Sequence, residues 1–278
     1  MRWSRGPRSR NLEDRRGSRV VSRGLPLGIG GVLVLFVLSL ITGQDLLSPL
    51  MQQGAVQQSD VREGPIETTP EEEARVDFVS FVLDDVQSTW PKLLGGRYRE
   101  AQLVLFRGAT ESSCGLGQSA MGPFYCPADG KVYLDLEFFD QLARRFDAPG
   151  EFAQAYVIAH ELGHHVQNLL GIERQVRQLQ QGRPAQANEL SVRMELQADC
   201  FAGLWGGTTA RRNLLEPGDV ESGLRAAAAI GDDAIQAQAQ GRVRPETFTH
   251  GSAAQRVEWL RRGLQADSVE ACDTFSAR

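Results

Sequence analysis

The sequence predicts an α+β fold in which helix dominates, carried behind a single N-terminal membrane-spanning helix. Three observations lead there. Beyond Leu136 the chain reads as helix after helix, divided at Pro149-Gly150, Gly171, Gly182-Arg183-Pro184, Pro217-Gly218 and Pro245. Ahead of that run, Leu103–Phe106 and Lys131–Asp135 have the length and pattern of short strands. At the other end, twenty-one residues without a charge, Gly24 to Gln44, follow a cluster of arginines.

The chain has 278 residues, room for one domain of ordinary size plus an extra segment. Hydrophobic residues at 41% and charged residues at 23% exclude wholesale disorder, and 4 cysteines are too few for a disulfide-built mini-protein. The net charge of −5 is unevenly spread: residues 1–24 carry +6 and the rest −11. An acidic body gives no reason to expect a nucleic-acid partner.

The apolar run centres on Val32–Leu38, and as a helix it just crosses a hydrocarbon core of roughly 30 Å. The arginines on its flank are expected to stay in the cytoplasm. A cleaved signal is the competing reading, but Ile41-Thr42-Gly43-Gln44 is not a small-x-small cleavage site. The expected organisation is a basic cytoplasmic arm (1–24), an anchor in the cytoplasmic membrane (25–44), a linker (45–68) and an extracytoplasmic domain (69–278). The linker is rich in Gln, Ser and Gly and shows no period.

Within the domain, Thr69-Pro70-Glu71-Glu72 supplies an N-cap and a proline at the first helical position. Val79, Val82, Leu83 and Val86 continue that helix, which Trp90-Pro91 is expected to end. Gly108 closes the strand at Leu103–Phe106. The glycine-rich stretch Ser112–Asp129 reads as turns, and Lys131–Asp135 alternates as a half-buried strand does.

The chemistry concentrates in Ala155–Leu170. His160 and His164 are four apart and share a helix face, where two imidazoles can take adjacent corners of a zinc tetrahedron. Glu161 sits beside the first of them, placed to reach a metal-bound water. Three of the 4 histidines fall within six residues, which a purely structural role would have to bury together. His165 points about 100° away from His164 and reads as a packing residue. A second helix, Asn188–Gly203, presents Glu195 and Asp199 four apart. Glu195 is the candidate third ligand; Asp199 can accept the free N–H of a ligand histidine. His250, in Thr249-His250-Gly251, is the candidate stabiliser of an oxyanion, with a surface histidine as the competing reading. Arg256 can pair with Asp199 or with substrate.

His160-Glu161-x-x-His164 followed by Glu195-x-x-x-Asp199 resembles the gluzincin branch of zinc metallopeptidases. Gly122–Pro127, Ala155–Glu161, Glu195–Cys200 and Phe248–Gly251 are similar to the bacterial neutral zinc metallopeptidase family, and the likeness runs from Asn11–Gly17 to Cys272–Phe275. Leu12 stands where the family pattern has valine. The resemblance implies a zincin-like domain with a small antiparallel sheet, one Zn2+ per chain and a peptide or protein substrate. The expected reaction is peptide hydrolysis by zinc-bound water, with Glu161 as general base. Lys131–Leu134 is the expected edge strand for an extended substrate. The alternative is a membrane-anchored binding or scaffolding protein with a structural zinc, which would need a fourth ligand and no Glu161.

Export permits disulfides. Of three possible pairings, Cys114 with Cys126 closes a short glycine-rich loop and leaves Cys200 for Cys272; four free buried thiols are the alternative.

Overall fold

The computed structural model describes residues 1–21 and 60–276. The anticipated membrane span and residues 45–59 of the linker lie outside them. No helix among the described residues is long and apolar enough to cross a membrane.

The fold is helix-dominated α+β. Its principal sheet has the order β1-β4-β8-β7, built from Leu12–Asp14 (β1), Gln102–Phe106 (β4), Phe124–Cys126 (β7) and Lys131–Asp135 (β8). Contrary to the antiparallel expectation, β1, β4 and β8 run parallel and only β7 is antiparallel. Parallel neighbours need a long crossover. Between β4 and β8 that crossover is the glycine-rich stretch read as turns. It holds the hairpin Ala109–Ser112 (β5) and Gly115–Gln118 (β6), and then β7.

The basic segment is not a separate arm. β1 joins the central sheet with Leu12 opposite Leu103, and Trp3 packs against Phe78 and Phe81. Ser18–Val21 (β2) pairs antiparallel with Asp60–Glu63 (β3), so the linker assigned to 45–68 contains a strand. The domain therefore begins at the first residues of the chain.

Helix α1 (Pro70–Leu94) starts as the sequence indicates, with Thr69 Oγ1 accepting from the Glu72 amide at 3.2 Å. It does not stop at Pro91. Trp90 and Leu94 are buried, and this packing keeps one more turn, closed by Gly95 N–H on the Pro91 carbonyl. Then follow α2 (Glu137–Arg144), α3 (Glu151–Leu169), α4 (Ile172–Gly182), α5 (Ala187–Arg211), α6 (Asp219–Ala229), α7 (Asp232–Gln240) and α8 (Ala253–Gln265). The break between α6 and α7 near Gly231 has no proline to announce it.

The core lies where α1, α3, α5 and α8 meet, around Trp90, Phe152, Tyr156, Phe201 and Trp205. Glycines set the crossings. A Cβ on Gly263 of α8 would stand 2.0 Å from the Cys200 carbonyl oxygen, and one on Gly203 of α5 2.2 Å from that of Leu260. Only bare backbone fits there.

Candidate metal centre and catalytic cleft

Helix α3 carries the first two candidate ligands, and Gly171, in the left-handed conformation at φ 76°, lies just beyond its end. Gly163 is where α3 crosses α5. A Cβ there would come 3.0 Å from the Ala198 carbonyl oxygen and 3.2 Å from its Cα. This close approach brings His160 and His164 to Glu195, and ligand atoms of all three lie within 4.8 Å of one another. Their imidazoles stand perpendicular, with ring centroids 4.8 Å apart.

Each histidine is oriented from behind. Asp199, wholly buried, lies 2.8 Å from His160 Nδ1; a carboxylate only accepts, so that nitrogen carries the hydrogen. Asp199 also accepts from Tyr156 Oη at 2.5 Å and from Arg256 Nε and Nη2, each at 2.9 Å. Of the two partners open to Arg256, the fold gives it Asp199. His164 Nδ1 lies 2.8 Å from Gln167 Oε1. The Gln167 amide nitrogen donates to the Met194 carbonyl at 2.7 Å and to Gln197 Oε1 at 3.1 Å, which fixes which end of the amide faces the ring.

With hydrogens on both Nδ1 atoms, both Nε2 lone pairs face Glu195: His160 Nε2 is 3.1 Å from Oε2 and His164 Nε2 3.4 Å from Oε1. Electron pairs so gathered require a positive charge among them. Two imidazoles and a carboxylate, beside a cleft, form a donor set that fits a divalent cation of the zinc type. When no metal is bound, protons supply the charge. Burial lowers the His160 pKa, but Asp199 and Glu195 outweigh it and push it up to about 10. His164 is raised against its own burial by Glu195. Burial works to raise Glu195, yet His164 and His160 hold it well below the usual carboxylate range.

Glu161 is buried and lines the same cleft, a cavity of about 740 Å3. His250 lines it too, from the loop ahead of α8. Asp232 accepts from the backbone amides of Thr249, His250 and Gly251 at 2.7, 2.6 and 3.1 Å, and lies 3.2 Å from His250 Nδ1. The bond to Asp232 raises the His250 pKa, against burial and with help from Glu195.

The strand facing the cleft is not the expected one. β8 is an interior strand between β4 and β7, buried on both faces from Val132 to Asp135. The edge belongs to β7, and Phe124 and Tyr125 line the cavity. His165 ties that edge to α3: its Nδ1 lies 3.1 Å from Tyr125 Oη, its Nε2 2.7 Å from the Arg99 carbonyl, and Asn168 donates to Tyr125 Oη at 2.8 Å. Burial lowers the His165 pKa and keeps the ring neutral. Both disulfides form as expected. Cys114–Cys126 fastens the β5–β6 hairpin to the end of β7, and Cys200–Cys272 ties the C-terminal segment to α5.

Three contributors escaped the sequence reading. Tyr156 stands four residues before His160, and Gln167 three after His164, spacings that share the ligand face of a helix. Asp232 gave no local signal, since it meets His250 only through the fold.

Paired helix histidines, a carboxylate from a second helix and an acid beside the first histidine are together the arrangement that a zinc metallopeptidase centre needs. The chain belongs to the family described as "Putative neutral zinc metallopeptidase", whose model matches residues 1–275. It is similar to the uncharacterized protein YpfJ of Escherichia coli K12, 48% identical over 99% of each chain. It is also similar to the uncharacterized protein Rv2575 of Mycobacterium tuberculosis H37Rv, 46% identical over 70% of this chain and 68% of that one. No solved structure matches.

Proposed function

We propose that this protein is a zinc-dependent peptidase of the gluzincin kind, with the metal held by His160, His164 and Glu195. The observation that carries the reading is the convergence of those donor atoms within 4.8 Å, in a cleft that Glu161 also lines. Zinc, when bound, supplies a Lewis acid that polarises a carbonyl and acidifies water. The remaining work falls to this chain's own residues. Glu161 takes the proton from the attacking water and delivers it to the leaving amine. His250, oriented by Asp232 and inclined to carry a proton, donates to the oxyanion that forms on the scissile carbonyl. Asp199 and Gln167 hold the two imidazoles in their ligand tautomers.

An extended polypeptide adds to the β7 edge by main-chain hydrogen bonds, and side chains at alternate positions enter the cleft between β7 and α4. The two disulfides suit an oxidising compartment outside the cytoplasm. A purely structural zinc is disfavoured, because the one metal-capable group among the described residues has three members, not four. Profiling the purified full chain against a mixed peptide library tests the proposal. Cleavage is expected in the wild type and not in Glu161→Gln, which keeps its zinc; equal cleavage in both removes the assignment.

A further inference from the structure

The C-terminal segment Val269–Phe275 lies along α5, behind the candidate metal centre. Thr274 Oγ1 donates to the Arg193 carbonyl at 2.8 Å, Gln197 Nε2 donates to the Cys272 carbonyl at 3.0 Å, and Cys200 closes its disulfide with Cys272. From α8, Arg262 Nε holds the adjoining Ala271 carbonyl at 2.6 Å. Positions 193, 197 and 200 share one face of α5, roughly 150° round the helix from that of Glu195 and Asp199. The segment therefore grips the side of α5 turned away from the candidate ligand.

One of these contacts does not end at α5. Gln197 is 4% exposed and Gln167 0%, so neither amide can exchange its partners for water. The Cys272 carbonyl only accepts, and the nitrogen of the Gln197 amide must face it. Gln197 Oε1 is thereby turned toward α3, where it accepts from Gln167 Nε2 at 3.1 Å. Gln167 Oε1 in turn faces His164 Nδ1, 2.8 Å away, and the imidazole carries its hydrogen there. Each link admits one orientation once the preceding link is set. The series leaves the lone pair of His164 Nε2 directed at Glu195. With the Gln197 amide reversed, two NH2 groups would meet, and Gln167 would keep only the Met194 carbonyl at 2.7 Å.

We infer that Gln197 is a positioning residue of the metal centre: through Gln167 it transmits the placement of the C-terminal segment to the His164 imidazole. The inference rests on the reading that His164 binds the metal. Partners of this kind alter metal affinity without touching the metal, because they set the orientation and basicity of the ring that does.

The test is a double-mutant cycle on metal affinity, read in the full-length protein by competition with a chromophoric chelator. Gln197→Leu removes both ends of the link, and Gln197→Met, unbranched and nearly as long as glutamine, repeats the removal if the branched side chain does not fold. Either is expected to weaken Zn2+ binding about fivefold, the worth of one buried hydrogen bond. The visible absorption of the Co2+-loaded variant should move toward that of Gln167→Ala. In the Gln167→Ala background the Gln197 substitution should have no further effect, because its route to His164 is gone. Gln87→Leu is the control. Gln87 is another buried glutamine, on α1, and its Oε1 accepts from Tyr98 Oη at 3.1 Å and from the Ala101 amide at 2.6 Å. That variant should melt at a lower temperature and bind metal as the wild type does. Wild-type affinity in both Gln197 variants overturns the inference. So does a double variant whose loss is the product of the two single losses, and so does a Gln87→Leu variant that loses as much as Gln197→Leu. A wild type that takes up neither Zn2+ nor Co2+ removes the proposed function and this inference together, whereas the other three outcomes remove the inference alone.

Discussion

His160 and His164 stand one helical turn apart on α3, yet they are held by different chemistry. Behind His160 lies a buried, charged cluster: Asp199 accepts from the imidazole, from Tyr156 and twice from Arg256. Behind His164 lies a neutral amide, Gln167, itself pinned to the Met194 carbonyl and Gln197. One imidazole rests on a charge balance that three helices supply; the other rests on a neutral amide that α3 provides and α5 holds in place. A motif that looks symmetric in sequence is asymmetric in what keeps it in place.

The comparison can be broken from the charged side first. Asp199→Asn keeps the shape but leaves Arg256 as a buried cation without its counterion, at a cost of about 3–5 kcal/mol. Zinc affinity is expected to fall toward the ~100-fold end of the range for such supporting groups. Urea unfolding and competition against a chromophoric chelator measure the two losses. Next comes the crossing that both histidines share. Gly163→Ala pushes a methyl against the backbone of Ala198 and should destabilise the fold by about 1–3 kcal/mol. Metal binding should weaken through both ligands alike; a variant as stable as wild type means the crossing relaxes freely.

Gln167→Ala sharpens the distinction from the neutral side. The expected loss is about tenfold in zinc affinity, with no effect on the Arg256 cluster. If it matches Asp199→Asn in both measurements, the two supports are equivalent and the asymmetry has no consequence. A pH dependence is expected too, confined to the metal-free protein. His160 is raised from 6.5 to about 10 in the fold. Its stabilisation is therefore complete below pH 6.5 and lost as pH rises through about 10. Chelator-treated protein should melt at progressively lower temperature across that interval, and the zinc-loaded protein should show a flatter profile, because Nε2 then binds metal instead of a proton.

The candidate ligand set was legible in part from helical spacing: His160 and His164 are one turn apart, but Glu195 with Asp199, also one turn apart, reads alone as a solvated face and gains meaning only beside the histidine helix. The other failures have physical causes. Lys131–Asp135 alternates in polarity, which suggested a strand with one wet face, but Tyr133 stacks on Phe124 and is buried despite its hydroxyl. The true edge, Phe124–Cys126, is too short to show a period and sits among glycines. Pro91 was read as a stop because a proline removes a helical hydrogen bond, but burial of Trp90 and Leu94 outweighs that loss. The arginines of the N-terminal segment have carboxylate partners as far off as Glu216, beyond any local window, so nothing in the sequence signalled that this segment packs on the domain.

The order in which the chain is made bears on when the centre can work. A growing chain has already produced His160, Glu161, His164 and Glu195 while Arg256 and Cys272 are still to come. Asp199 has no guanidinium until α8 is made, and α5 has no covalent partner until Cys272 is translated. A nascent or prematurely terminated chain thus holds the atoms of the candidate ligand set and the Gln167 support of His164, without the guanidinium that completes the Asp199 cluster. The charged support of the candidate centre is therefore the last part of it that synthesis supplies.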